Sequence, residues 1–160
     1  MDILQVGPLL RGLINRIRTL LECEALNLAM QLGDDQWEAQ IIAACYRLER
    51  AALPKLDADR GGTVIDWEKR HRAFHATLIE AATSPRLLRI IGQLVDQTER
   101  YRAIRLTRID NIQLARDVPA EHRALADAVV ARDSHALSLL AEHLDRTRAF
   151  VAMVLTKGVV

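Results

Sequence analysis

The chain has 160 residues, half of them hydrophobic, with 22 Lys and Arg against 21 Asp and Glu and a net charge of +1. That length suits one domain with a sizeable core, and the hydrophobic share excludes a disordered chain. A charge this close to zero offers no global basic field for nucleic acid, and no apolar run approaches the roughly 20 residues of a membrane span. Lysine occurs only at Lys55, Lys69 and Lys157, so arginine carries most of the positive charge. The N-terminus lacks a basic segment followed by a continuous apolar core, so no signal peptide is evident. Cys23 and Cys45 lie in helical patterns without metal-type spacing, which fits buried free thiols in a reducing compartment. A soluble, cytoplasmic protein with no membrane partner is the expectation.

Residues 1–8 read as a lead-in punctuated by Gly7-Pro8, residues 9–156 as a helical domain and residues 157–160 as a tail. The first helix spans about Leu9 to Gln31, where Leu13, Ile17, Leu20, Leu21, Ala25, Leu28 and Ala29 recur at intervals of three and four. Gly33 suits a C-terminal cap, and Asp34 or Asp35 suits the next N-cap. The second helix runs from about Trp37 to Ala52 with Ile41, Ala44, Cys45 and Leu48 inward, and Pro54 ends it. Residues 55–63, with the pair Gly61-Gly62, read as a polar loop. A third helix covers Trp67 to Ala82 and stops at Ser84-Pro85. Pro85 fits the first turn of a fourth helix, about Arg86 to Leu106, with Ser84 as its N-cap. Leu87, Leu88, Ile91, Leu94, Val95, Thr98 and Tyr101 mark the inward side of that helix.

Residues 107–117 fit either a helix or a loop. Pro119 opens a fifth helix, about Ala120 to Ala131, and Asp133-Ser134 starts a sixth, about His135 to Leu155. No segment alternates like a strand, and no internal repeat is visible. The short connections predict an all-α fold, an antiparallel bundle of six to seven helices.

The third helix carries the unusual chemistry. Trp67, His71, Phe74, His75, Leu78 and Ala82 share one stripe, with Glu68 on the same side and Lys69, Arg70, Thr77 and Glu80 on the other. Two imidazoles one turn apart among large apolar residues must be hydrogen-bonded or coordinated once buried. His122 shares the inward face of the fifth helix with Leu125, Ala126, Val129 and Val130. His143 shares that of the sixth with Ala136, Leu140, Leu144, Thr147, Val151 and Val154. His135, beside Ser138, Leu139, Glu142 and Arg146, reads as surface.

An i, i+4 pair completed by histidines from two further helices is a way to hold one metal ion in a bundle. Four separate hydrogen-bonded core histidines would give the same pattern. The ligands suit Zn, Ni, Cu, Fe or Mn. A di-iron carboxylate site needs two Glu-x-x-His motifs facing a shared interior, and only Glu68-Lys-Arg-His71 qualifies. A hydrolytic His-Glu-x-x-His motif is absent. Glu121 and Glu142 each precede a candidate ligand and so point about 100° away from it. Glu68 reads as a carboxylate near the helix N-terminus. No machinery for turnover stands out, so no catalytic residue is assigned and the chain is not expected to be an enzyme.

At these residues the chain resembles the effector-binding (FCD) domain of the FadR subfamily of GntR-type transcription regulators. Arg18-Thr-Leu-Leu-Glu22-Cys-Glu-Ala25 is similar to the family's opening Arg-x-x-x-Glu-x-x-Ala helix. His71-Arg-Ala-Phe74-His75 stands where the family has Asp-x-x-Phe-His, Glu121-His122 opens the fifth helix, and His143-Leu144 follows in the sixth. Ala131-Arg132-Asp133 with Ala136 also looks like the family. Trp37-Glu38-Ala39, Trp67-Glu68, Ser84-Pro85, Gln97 to Arg102 and Arg116-Asp117 further resemble the branch of carbon-starvation-induced, glutarate-responsive repressors.

The resemblance implies a ligand-sensing and dimerisation domain. A divalent metal, zinc or nickel foremost, would be held by His75, His122 and His143, with His71 where metal-binding relatives place aspartate. A small carboxylate effector would coordinate the metal, clamped by Arg18 and Arg102, with Tyr101 and Gln97 as further contacts. It also implies a homodimer. DNA would be reached only through a winged-helix domain, which nothing in this chain resembles. A metal-dependent enzyme using the same pocket and a metal-free dimerisation module are the alternative readings.

Overall fold

The structure, a computed structural model, describes residues 8–51, 60–108 and 117–157. They form α1 (Pro8–Leu32), α2 (Asp35–Glu49), α3 (Arg60–Ile79), α4 (Pro85–Arg108), α5 (Val118–Val130) and α6 (His135–Lys157), with a 3₁₀ turn at Glu80–Ala82. No strand occurs among the described residues, so the fold is an all-α bundle. No helix among them is long and apolar enough to cross a membrane.

Side chains fix the helix starts by accepting from otherwise unpaired first-turn amides. Asp34 accepts from the Trp37 amide at 2.9 Å to begin α2. Asp117 accepts from Ala120 at 3.0 Å to begin α5, with Pro119 in the first turn. Asp133 accepts from His135 at 2.8 Å ahead of α6. The carboxyl end of α1 is closed from a distance. Arg132, in the left-handed region at φ 56°, donates to the carbonyls of Met30 at 2.6 Å and Gly33 at 2.9 Å. Its guanidinium also pairs with Glu38 at 2.5 Å and lies over the Trp37 ring at 4.9 Å. A cation at this end opposes the helix dipole as well as satisfying carbonyls.

Gly33 follows α1 as expected, but not because the turn needs a left-handed residue: no described glycine has positive φ. A Cβ at Gly33 would lie 2.2 Å from the Trp37 ring. The glycine is there for close approach. Gly33→Ala is therefore expected to cost about 1–3 kcal/mol through overpacking, measured by urea unfolding.

Several boundaries differ from the sequence reading. Residues 60–63, expected in a polar loop, form the start of α3. Two glycines cost a helix about 1 kcal/mol each, and a 20-residue helix whose later turns bury Trp67, His71, Phe74, His75 and Leu78 absorbs that. Residues 107–108 belong to α4, Pro8 belongs to α1, and Lys157 closes α6. Residues 1–7, 52–59, 109–116 and 158–160 lie outside the described residues, so the lead-in, the stop at Pro54 and the remaining undecided segment fall there.

The inward face of α1 is also offset from its apolar pattern. Leu13, Ile17 and Leu20 are exposed, whereas Arg18, Glu22, Ala25, Leu26 and Ala29 are buried. In the first half of α1 an ion pair occupies the inward face and Leu13, Ile17 and Leu20 of the expected stripe face out; farther along, Ala25 and Ala29 of that stripe are buried and Leu21 and Leu28 pack against the core. Elsewhere the stripes hold. Trp37, Ile41, Ala44, Cys45 and Leu48 of α2 are buried, as are Trp67, Phe74 and Leu78 of α3 and Leu125, Ala126 and Val129 of α5.

α1 packs against α3, α4, α6 and the 3₁₀ turn, while α2 packs on α3 and α5, and α5 on α6. Trp37 Nε1 ties α2 to α3 by donating to the Thr77 carbonyl at 2.8 Å. Both cysteines are free. Burial pushes both thiols up to about 11, with Glu22 adding to the effect at Cys23 and Glu49 at Cys45. The thiolate is the reactive form. Alkylation of the folded chain, followed by mass spectrometry, is thus expected to be slow at pH 7 and to rise only as pH approaches 11.

Candidate metal centre and adjoining cavity

Helical periodicity puts His71 and His75 one turn apart on the buried face of α3. His122 enters from the first turns of α5, and His143 from the middle of α6. All four are buried. Each offers a ring nitrogen, and these four atoms lie within 4.8 Å of one another. The ring centroids of His71 and His75 are 4.5 Å apart, and those of His122 and His143 are 4.6 Å apart. Aromatic rings wall the cluster: Trp67 stacks on His71 at 4.6 Å, and the Phe74 ring meets His75 and His122 edge-on at 5.4 and 5.3 Å. His135 is exposed, as its neighbours imply.

The donor set fits a metal ion. Imidazole nitrogens bind zinc at about 2.0–2.1 Å, so two ligands of one ion can stand no more than about 4.2 Å apart. A set already within 4.8 Å needs only small ring rotations to close on one ion. Four imidazoles with no carboxylate favour zinc, nickel or copper over magnesium or calcium.

Glu121 does not point at the cluster through its own helix, as its position beside His122 requires. It reaches across to α6, where its Oε2 lies 2.9 Å from His143 Nδ1. Its other oxygen accepts from Arg146 at 3.2 Å, and Arg146 also donates to Glu142 at 3.0 Å. Glu68 is half-buried in the middle of α3. Because that helix starts at Arg60, the reading of Glu68 as an N-terminal carboxylate does not hold.

A cavity of about 220 Å³ adjoins the cluster, lined by His71 and His75, by Arg18 and Glu22 of α1, and by apolar side chains of α4 that include Leu88, Ile91 and Val95. Arg18 is buried and donates from Nε to Glu22 at 2.5 Å and from a terminal nitrogen to Thr98 Oγ1 at 2.7 Å. Arg72 also lines the cavity and is held by Asp96 at 2.6 Å and Glu99 at 2.9 Å. Glu80 completes the polar lining, and burial raises its carboxyl above the usual range.

Of the four ligand contacts expected from sequence, Arg18 is on the cavity wall. Gln97 is exposed and not among the lining residues. Tyr101 and Arg102 are on α4, but their side chains fall outside the described ones. Sequence reasoning passed over Glu22, Arg72, Glu80 and Glu99 as lining groups, and Glu121 as the partner of His143. Only Glu121 left a signal, a carboxylate adjacent to a candidate ligand, and its target on α6 emerges from helix packing.

Fold and site together define a helical-bundle domain with a buried four-histidine cluster beside a partly polar cavity. The chain belongs to the FCD domain family, whose match covers residues 14–146. It is 37% identical over 135 residues to the uncharacterized HTH-type transcriptional regulator BphR of Paraburkholderia xenovorans (strain LB400), a match spanning 84% of this chain and 54% of that protein. It is 34% identical over 131 residues to the HTH-type transcriptional repressor GlaR of Escherichia coli (strain K12), spanning 79% of this chain and 57% of that one. The chain thus spans somewhat more than half the length of these curated relatives. No solved structure matches it.

Proposed function

We propose that this chain is the effector-sensing domain of a transcription regulator. In this reading His71, His75, His122 and His143 hold a divalent metal, zinc or nickel foremost, and a small carboxylate enters the adjoining cavity. The observation that carries it is the convergence of four buried imidazoles from three helices beside a cavity whose wall is formed by two of them, His71 and His75, together with the buried guanidinium of Arg18. The likeness to two HTH-type regulators supports sensing rather than turnover. A bound ion would supply a Lewis-acid anchor for one carboxylate oxygen.

Arg18 presents a planar fork suited to a carboxylate, prepositioned by Glu22 and Thr98. Leu88, Ile91 and Val95 exclude water from the apolar part of the effector. Binding acts by differing in affinity between two arrangements of a homodimer, which sets the spacing of DNA-reading domains outside this chain. Such a regulator works in the cytoplasm.

Metal analysis and thermal melts test the reading. Chelation is expected to lower the melting temperature and added Zn or Ni to restore it. A dicarboxylate probe such as glutarate is expected to raise it further without being consumed. A melting temperature indifferent to chelator and to both metals would remove the metal, and consumption of the probe would favour catalysis.

A further inference from the structure

Glu121 stands outside the metal-ligand set, yet its carboxylate meets Nδ1 of His143 at 2.9 Å. A carboxylate can only accept, so the shared proton sits on Nδ1 and leaves the Nε2 lone pair for an ion. We infer that Glu121 is a positioning residue: it fixes the tautomer and ring orientation of His143 and thereby sets how tightly the cluster holds a metal. The inference rests on the metal reading above and deepens it.

The sequence arranges this economically. Neighbours on a helix point about 100° apart, so Glu121 and His122 cannot both face the cluster from α5. His122 enters it, and Glu121 is turned toward α6, where it meets His143. One dipeptide thus supplies a ligand and the group that orients another ligand on a different helix. Arg146, 54% exposed, holds the second oxygen of Glu121 at 3.2 Å and keeps the carboxylate from swinging to water. Glu142 in turn holds Arg146 at 3.0 Å. A hydrogen-bonded carboxylate behind a ligating histidine also makes the imidazole a stronger donor, and losing such a partner weakens metal binding by about 10–100-fold.

The test uses the whole chain, zinc, and a chromophoric chelator as competitor, together with nitrogen-15 NMR of the histidine rings in the metal-free protein. The wild type is expected to show His143 protonated at Nδ1. Glu121→Ala is expected to lose that fixed tautomer and to bind zinc about 10–100-fold more weakly. Glu121→Gln keeps an accepting oxygen of the same shape; it is expected to keep the tautomer and lose less affinity, and it serves if the alanine variant fails to fold.

Equal zinc affinity in wild type and Glu121→Ala, or a metal-free wild type protonated at Nε2 of His143, overturns the inference. If the wild type binds no zinc, the metal reading fails. The tautomer measurement then still decides whether Glu121 orients His143.

Discussion

Replacing His122 with alanine is expected to abolish most of the metal-dependent stability of this chain. His122 is among the most buried side chains, at 2% exposure, and is the imidazole that α5 brings to the cluster. Losing an outer hydrogen-bond partner of a ligand already costs about 10–100-fold in metal affinity, so losing a ligand itself should cost more. An ion present at about a thousandfold excess over its dissociation constant adds about 4 kcal/mol to stability. For a domain of this size that is a rise of about 8–16 °C in Tm. His122→Ala should lose nearly all of it.

The variant also leaves a hole in the core, which lowers the metal-free Tm by itself. The informative quantity is therefore the difference between loaded and chelated Tm, compared for wild type, His122→Ala and His135→Ala. The last removes an exposed histidine outside the cluster and should behave as wild type. A His122→Ala protein with full metal stoichiometry and the full shift would show that the ion sits elsewhere.

Glu22→Ala should be among the most destabilising single changes in the chain. Arg18 and Glu22 are one turn apart on α1, with side-chain exposures of only 7% and 2%. Removing one partner of a buried pair leaves the other charge without compensation, at about 3–5 kcal/mol. Thr98 offers Arg18 only a neutral acceptor, which offsets part of that cost. Urea unfolding should show the loss as a lower midpoint with little change in slope. Glu22→Gln, which keeps an acceptor but not the charge, should lie between wild type and Glu22→Ala.

The same variant tests the sensing reading. With Glu22 gone, a carboxylate probe in the cavity takes the place of the anion that Arg18 has lost. It should then stabilise the variant more than the wild type. A cost for Glu22→Ala below about 1 kcal/mol would mean that the guanidinium finds water, as exposed ion pairs do.

These two residues mark the limit of reading stripes from sequence. On α3 and α5 the buried face is apolar apart from the histidines, so hydrophobic spacing locates both the core and the imidazoles. On α1 the buried face carries Arg18 and Glu22 beside Ala25 and Ala29, and the members Leu13, Ile17 and Leu20 of the apolar spacing fall on the exposed side. A charged pair can be interior only when its partners are in place, and helical periodicity carries no information on partners. The Arg-x-x-x-Glu spacing does place the pair on one face. That the face is buried follows from how α1 packs between α3, α4 and α6.

The sequence by itself determined that the fold is an all-α bundle, where most of its described helices end, and that His71, His75, His122 and His143 face inward. Local capping and a 3.6-residue period suffice for that, because both act within a few turns of one helix. The tertiary structure alone decided that the four imidazoles converge within 4.8 Å, that Glu121 reaches His143 across two helices, and that Gly33 makes room for Trp37. Each is a contact between segments far apart in the chain, and packing fixes those distances where local spacing cannot.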